Sequence, residues 1–437
     1  MKKKESNKKD NIKTNTQVGI ESIGVYTPYL FFALKDLAHA RSNGDKKVEE
    51  DLISKYEKGL GQIHMSIIHP NEDIITMAYE AVLNCLGCAR RNNNIDLLLF
   101  ATESAIDNSK SAACELYGLL GHEENHQCRC IELKHACYGG TGALMMAKEH
   151  ILNNPGKKAL VVMSDVAFYG LETKGEPTQG CGAIAILLSS KPKIAVFNND
   201  NVFFTSNKND FYRPTYQIKP IYDGRNSIAS YINMLKKTYN IYKEKNKNYN
   251  FDFFISHMPF ANMLDKCCDA INIDKEKNKN EYIKYIQKYV GNTYTASLYI
   301  GLYSLLLTTK PNDLYNKKVM LFSYGSGAEC EMFSIKILKD YDEGLSELVK
   351  HYKELIIDLP EKNKENKLHV NKALFDTFHR GIDYRKLEYT TYCGLLENFK
   401  KREQSLECSV YLSKNFLERK RLIMEKIKNG VRHYRYR

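Results

Sequence analysis

At 437 residues the chain is long enough for two or three domain-sized units. Apolar residues make up 43% and aromatics 11%, an ordinary globular mixture, and no apolar run reaches the roughly 18 residues of a membrane-crossing helix. The formal net charge of +12 is spread through Lys/Asn-rich stretches with no basic stripe interleaved with aromatics. That sets nucleic acid aside and leaves a solvated basic surface, or an acidic partner such as nucleotide-type phosphates.

Residues 1–17 are rich in Lys, Asn and Thr and lack an apolar h-region. They read as a disordered basic arm, not a secretory signal. Twelve cysteines in a chain with no export signal point to free thiols in a reducing compartment, the cytoplasm. Cys85-x-x-Cys88 lies on a helical pattern. Neither Cys128-x-Cys130 nor Cys267-Cys268 supplies the second pair that a zinc site needs, so no metal is expected.

From Val18 the pattern is α/β. Gln17 to Tyr26 predicts a strand and Leu34 to Ser42 a helix. A stronger helix spans Asn71 to Cys88, with Asn71 as a possible N-cap before Glu72 and Asp73. Ile95 to Ala101 is a continuous apolar run, a buried strand of the kind parallel sheets contain, and Thr102-Glu103-Ser104 follows at its end. Ser109 to Leu120 is helical and Arg129 to Leu133 a short strand. Cys137 then stands where strand turns to helix, inside Ala136-Cys137-Tyr138-Gly139-Gly140. A helix N-terminus favours the thiolate, so Cys137 is a candidate nucleophile; a structural cysteine at a tight turn is the plain alternative. Two more buried strands, Lys158–Asp165 and Gly182–Leu188, flank a polar Gly-rich loop from Gly175 to Gly182.

Asn199 to Asp223 is rich in Asn, Asp and Tyr and reads as an irregular excursion. Helices are predicted over Ile228–Tyr242, Ala261–Ala270, Glu281–Tyr289 and Asn292–Leu307. Strands are predicted over Tyr249–Ile255, Lys318–Ser323 and Cys330–Ile337. The two parts rhyme, which suggests a duplicated α/β unit over residues 18–192 and 193–437. The stretch from Asp340 onward is charged and reads as mostly helical, with a strand-like patch near Tyr389 to Cys393.

Polar residues gather at predicted strand ends: Glu103, Cys137, His257, Asn292 and Ser326. Ligands of α/β sheets bind at the carboxyl ends of strands. Each residue has a dull explanation by itself: Glu103 and Asn292 as helix caps, His257 as a satisfied core histidine. Together, a thiol, an imidazole and a carboxylate suit either a Cys–His hydrolase or a thioester condensation. A carboxylate able to take a carbon-bound proton favours the second.

Six segments, in order, carry a family resemblance: Thr102-Glu103-Ser104, Ala136-Cys137-Tyr138-Gly139-Gly140-Thr141, Gly175-Glu-Pro-Thr-Gln-Gly180, His257-x-Pro259-Phe260, Val290-Gly-Asn292 and Phe322-Ser-Tyr-Gly-Ser-Gly327. They resemble the 3-hydroxy-3-methylglutaryl-CoA synthase family, and Ile427 to Tyr434 resembles that family's tail. The resemblance implies a thiolase fold, two similar α/β halves in a five-layer α-β-α-β-α arrangement, and a homodimer. It implies no cofactor, since the CoA thioesters are substrates: acetyl-CoA and acetoacetyl-CoA, condensed on the mevalonate route. By the same resemblance Cys137 carries the acetyl group, Glu103 is the general base and acid, and His257 holds the acetoacetyl thioester. The N–H groups of Cys137 and Ser326, beside Gly325, form an oxyanion hole. Asn292, Thr178 and Tyr169 line the acyl pocket, while Lys55 and Lys266 contact CoA.

One departure stands out: the family's lysine five residues after the histidine is here Asn262. A runner-up is the related enzyme that installs β-branches on an acyl carrier protein in polyketide synthesis. The short Gly175–Gly180 loop favours the CoA-dependent type, while Asn262 and the basic charge lean the other way. A catalytically dead scaffold is argued against by intact Glu103, Cys137 and His257.

Overall fold

The computed structural model describes residues 17–345, except 29, 70, 88–93, 122–126, 218, 248 and 340, together with 368–369, 422–428 and 431–436. The strand-like patch near Tyr389 and the thiol of Cys88 lie outside the described residues. The first half opens with β1 (Gly19–Tyr26). A small layer follows: β2 (Leu30–Ala33), α1 (Leu34–Arg41), α2 (Lys46–Ser54) and β3 (His64–Ile67). β2 and β3 pair antiparallel, and their four-residue strands are too short to show a period in sequence.

α3 (Ile74–Leu86) starts later than expected, because Asp73 and not Asn71 caps it. Asp73 Oδ1 accepts the N–H groups of Ile75 and Thr76 at 3.0 and 2.9 Å, and Thr76 Oγ1 accepts the N–H of Asp73 at 2.8 Å. That reciprocal pair satisfies orphan donors of the first turn, which Asn71 is too far upstream to do. β4 (Leu97–Ala101), α4 (Ala112–Leu119), β5 (Arg129–Leu133), α5 (Gly139–Asn153), β6 (Ala159–Ala167) and β7 (Gly180–Ser189) complete this half.

The second half contains β8 (Ala195–Phe197), β9 (Val202–Thr205), β10 (Phe211–Tyr212), β11 (Ile221–Tyr222), α6 (Gly224–Lys245), β12 (Phe253–Ser256) and α7 (Met263–Ala270). It continues with α8 (Asn280–Ile283), α9 (Tyr285–Val290), α10 (Ser297–Thr308), β13 (Lys318–Gly325) and β14 (Glu329–Ile337). The stretch read as irregular thus holds three short strands. The helix expected over Glu281–Tyr289 is divided at Lys284 into α8 and α9.

The halves repeat one topology. β4 and β6 are parallel, β6–β7 and β7–β1 antiparallel; β12 and β13 are parallel, β13–β14 and β14–β8 antiparallel. β1 and β8 pair at Gly19 and Ile20 and join both units into one run of strands. Period-two alternation splits the apolar run of β4. Leu98 and Phe100 pack with α3 and α4 on one face, while Leu97, Leu99 and Ala101 pack with α5 on the other. α5 and α10 form the middle layer, where Thr141 Oγ1 lies 2.7 Å from Tyr299 Oη of α10 and 2.7 Å from Ser323 Oγ of β13. α6 and α7 cover the second half on its outer side. This is the five-layer thiolase fold. No helix among the described residues is long and apolar enough to cross a membrane.

In the described part of the tail Tyr341–Glu343 form one short helical turn, while its last two segments are strands, where helix was expected. Leu422–Lys428 and Val431–Tyr436 pair as an antiparallel hairpin. Its alternation of apolar and charged residues suits a strand with one buried face. Leu422 joins the core under α3, and Tyr434 Oη donates to Asp73 Oδ2 at 2.8 Å. Tyr434→Phe removes a bond to a buried carboxylate and is expected to cost about 1.5 kcal/mol. The measurement is the denaturant midpoint of the transition; an unchanged midpoint would show that the hairpin adds no stability through this contact.

Candidate active site

The turn between β5 and α5 presents Cys137. Ala136 takes the left-handed region at φ 42°, and His135 and Cys137 form a bridge across it. β13 ends against this turn because Gly325 has no side chain: a Cβ there would stand 2.6 Å from the Tyr138 nitrogen and 2.8 Å from the His135 oxygen. The next residue, Ser326, is thereby brought beside Cys137.

Cys137 Sγ donates to Glu103 Oε1 at 2.9 Å. Glu103 stands just beyond β4. Its carboxyl is pushed up to about 7, first by burial and then by the negative charge of Asp165; the Cys137 hydrogen bond and the positive charge of Arg213 work against the rise. The Cys137 thiol is also pushed up, well above its ordinary value, by burial and by the adjacent Glu103 carboxylate. This reverses the expectation of a depressed thiol. Whatever α5 contributes from its N-terminus, burial and a carboxylate in hydrogen-bond contact outweigh it. The resting pair is therefore a thiol donating to a carboxyl group that titrates near neutrality.

Asp165, missed in the sequence reading, lies under this pair. It is fully buried near the end of β6. Oδ1 accepts the Glu103 N–H at 2.7 Å and the hydroxyls of Thr102 and Ser104, each at 2.9 Å; Oδ2 accepts the Thr295 N–H at 3.1 Å. A carboxylate close behind the apolar run Ala159–Met163, within the same buried strand, was the available signal, since a buried charge must be paired or hydrogen-bonded.

His257 follows β12 and is buried. Its carbonyl accepts the Tyr231 hydroxyl at 2.7 Å, and its ring stacks on Tyr231. Burial pulls its pKa down to about 3, so the imidazole is neutral at pH 7. Asn292 is buried too. Its side chain donates to Tyr169 Oη at 3.1 Å and accepts the Tyr294 N–H at 2.9 Å, which makes it a local cap as well as a wall residue.

Glu103, Cys137 and His257 face one cavity of about 1040 Å³, together with Tyr169, Thr178, Asn292 and Ser326. An aromatic box of Tyr169, Phe211, Tyr222 and Tyr294 surrounds the thiol side. Lys55, Lys174 and Arg225 also line the cavity. Lys266 does not; it is exposed on α7. Asn262 Nδ2 donates to the Lys58 carbonyl at 2.9 Å, and its N–H to the Leu60 carbonyl at 3.0 Å, so it fastens α7 to the turn that carries Lys55. The Gly175–Gly180 loop is held by Glu176, whose buried carboxylate is gripped in bidentate fashion by Arg41 at 2.5 and 3.0 Å.

Comparison with known proteins gives a consistent result. Residues 14–193 match the model for the hydroxymethylglutaryl-coenzyme A synthase N-terminal domain, and residues 266–393 that for the C-terminal domain. Hydroxymethylglutaryl-CoA synthase of Enterococcus faecalis is 35% identical over 376 residues, covering 84% of this chain and 94% of that protein. A structure of HMG-CoA synthase complexed with CoA superposes with a TM-score of 0.70 at 33% identity, covering 77% of this chain and 87% of the other. A structure of MvaS in complex with 3-hydroxy-3-methylglutaryl coenzyme A superposes with a TM-score of 0.74 at 27% identity, covering 96% and 99%.

Proposed function

The chain belongs to the hydroxymethylglutaryl-CoA synthase family, a family of condensing acyltransferases, and from that premise we propose that it joins acetyl-CoA to acetoacetyl-CoA, yielding 3-hydroxy-3-methylglutaryl-CoA and CoA. The observation that carries this reading is the 2.9 Å contact between the Cys137 thiol and a Glu103 carboxyl whose pKa is raised to about 7, beside His257 in one cavity.

In the first step the Cys137 sulfur attacks the acetyl thioester, its proton passes to Glu103 and on to the departing CoA sulfur, and CoA leaves as the thiol with Glu103 again a carboxylate. The acetyl group then sits at a fixed distance from the base. Glu103 next removes a methyl proton. Such a proton is very weakly acidic, so the enolate oxygen needs donors fixed in advance; the N–H groups of Cys137 and Ser326 are assigned to it. The enolate carbon attacks the ketone of the acetoacetyl group. Neutral His257 donates to that second thioester, and Glu103 returns its proton to the new alkoxide. Water then cleaves the Cys137 thioester. Asn292, Tyr169 and Thr178 shape the acyl pocket, and Lys55 meets the CoA moiety; Lys266 is left for a distal CoA phosphate.

The short Gly175–Gly180 loop supports a CoA-bound acceptor, as do Lys55, Lys174 and Arg225 on the cavity wall. The deciding assay offers acetoacetyl-CoA and an acetoacetyl carrier protein in parallel to the acetylated enzyme. At least a tenfold higher kcat/KM with acetoacetyl-CoA is expected. A reversed preference assigns the chain to β-branching on a carrier protein. A cytoplasmic homodimer feeding the mevalonate route completes the proposal; the free cysteines suit that compartment, and sedimentation tests the dimer.

A further inference from the structure

Three residues within the four-residue stretch 210–213 at β10 reach three parts of the site. Asp210 Oδ1 accepts the Gly327 N–H at 3.0 Å, and Oδ2 accepts the Tyr324 hydroxyl at 2.5 Å, so this one carboxylate holds both sides of the turn that presents Ser326. Phe211 closes the aromatic box against Tyr169 and Tyr294. Arg213 then reaches across to the first half, where its guanidinium donates to the carbonyl oxygen of Glu103. The peptide of Glu103 is thus held from both directions, its N–H by Asp165 and its C=O by Arg213.

We propose that Arg213 is a positioning residue for Glu103: it locks the backbone that aims the carboxyl group at Cys137, and it supplies positive charge that balances Asp165. This rests on the assignment of Glu103 as the condensation base. The groups that act on the Glu103 carboxyl are the Cys137 thiol from the β5–α5 turn, Asp165 from β6 and Arg213 after β10, and Glu103 in turn acts on the hydroxyls of Tyr169 and Tyr294. Asp165 lifts the carboxyl pKa, and Arg213 draws it down. Without the guanidinium, only the Cys137 hydrogen bond opposes burial and Asp165, and the carboxyl keeps its proton to higher pH. A base protonated at working pH takes no methyl proton, so the loss reads as a displaced pH profile.

The experiment compares wild type with Arg213→Gln and Arg213→Lys in two measurements. One is the rate of Cys137 alkylation by iodoacetamide against pH, without substrate and followed by mass spectrometry. The other is kcat against pH. Arg213→Gln is expected to move both midpoints upward by about one pH unit, with kcat at pH 7 about fivefold lower. Arg213→Lys keeps the charge and holds both midpoints near wild type. Equal losses at every pH with unmoved midpoints, or the same displacement in both variants, overturns the proposal. If the alkylation midpoint moves while the kcat midpoint does not, Arg213 tunes the Glu103–Cys137 pair but Glu103 is not the base, so the two failures stay distinct.

Discussion

Replacing Glu103 with alanine leaves Cys137 able to take an acetyl group while condensation falls by about three to four powers of ten. Two effects oppose each other in the first step. The variant loses the acceptor for the thiol proton, 2.9 Å away, and it also loses the negative charge that, after burial, raises the thiol. The second effect frees the thiolate and offsets the first. Nothing offsets the loss in the condensation step, because among the described residues no other carboxylate is hydrogen-bonded to Cys137. Intact-protein mass after mixing with acetyl-CoA reads the first step, and product formation reads the second. An equal loss in both would assign Glu103 to acetyl transfer instead. In wild type the condensation rate should rise with pH through about 7, since the ionised carboxylate is the base and burial keeps it protonated below that pH.

Cys137→Ser is expected to abolish turnover to below one part in about 10⁴. An alcohol is a far poorer source of anion than a thiol at neutral pH. The surroundings sharpen this difference: they already push the thiol up, and they would push a hydroxyl further by the same burial and the same carboxylate. Retained turnover above that level would remove the acyl-enzyme from the scheme.

How far the sequence revealed this site depends on the kind of signal each residue leaves. Glu103 and His257 stand just past buried strands, and Cys137 past a partly exposed one, so a strand and a following polar turn were enough to place them on one edge of the fold. Asp165 was passed over as the last letter of a strand, although its charge close behind an apolar run was visible. Arg213 and Asp210 lie in a stretch without periodicity, where two-residue strands leave no trace and the contacts span both halves. The direction of the Cys137 shift was misjudged because a helix end is written in the local sequence, whereas a facing carboxylate from another strand is not. The hairpin of the tail was obscured by its charge, which the eye takes for a solvated helix.

The bonds between Thr295 and Asp165, Tyr169 and Asn292, and Thr141 and Ser323 each cross from one repeat to the other. On the ribosome this orders events in time. A nascent chain exposes its nucleophile and base long before it has made the imidazole and the turn that would hold an enolate, and domains tend to fold in the order of their emergence. The carboxyl that accepts the thiol proton comes from the same repeat, so the partner of Cys137 is made before the second half, whereas the burial that raises the thiol is completed only when Phe211, Tyr222 and Tyr294 arrive.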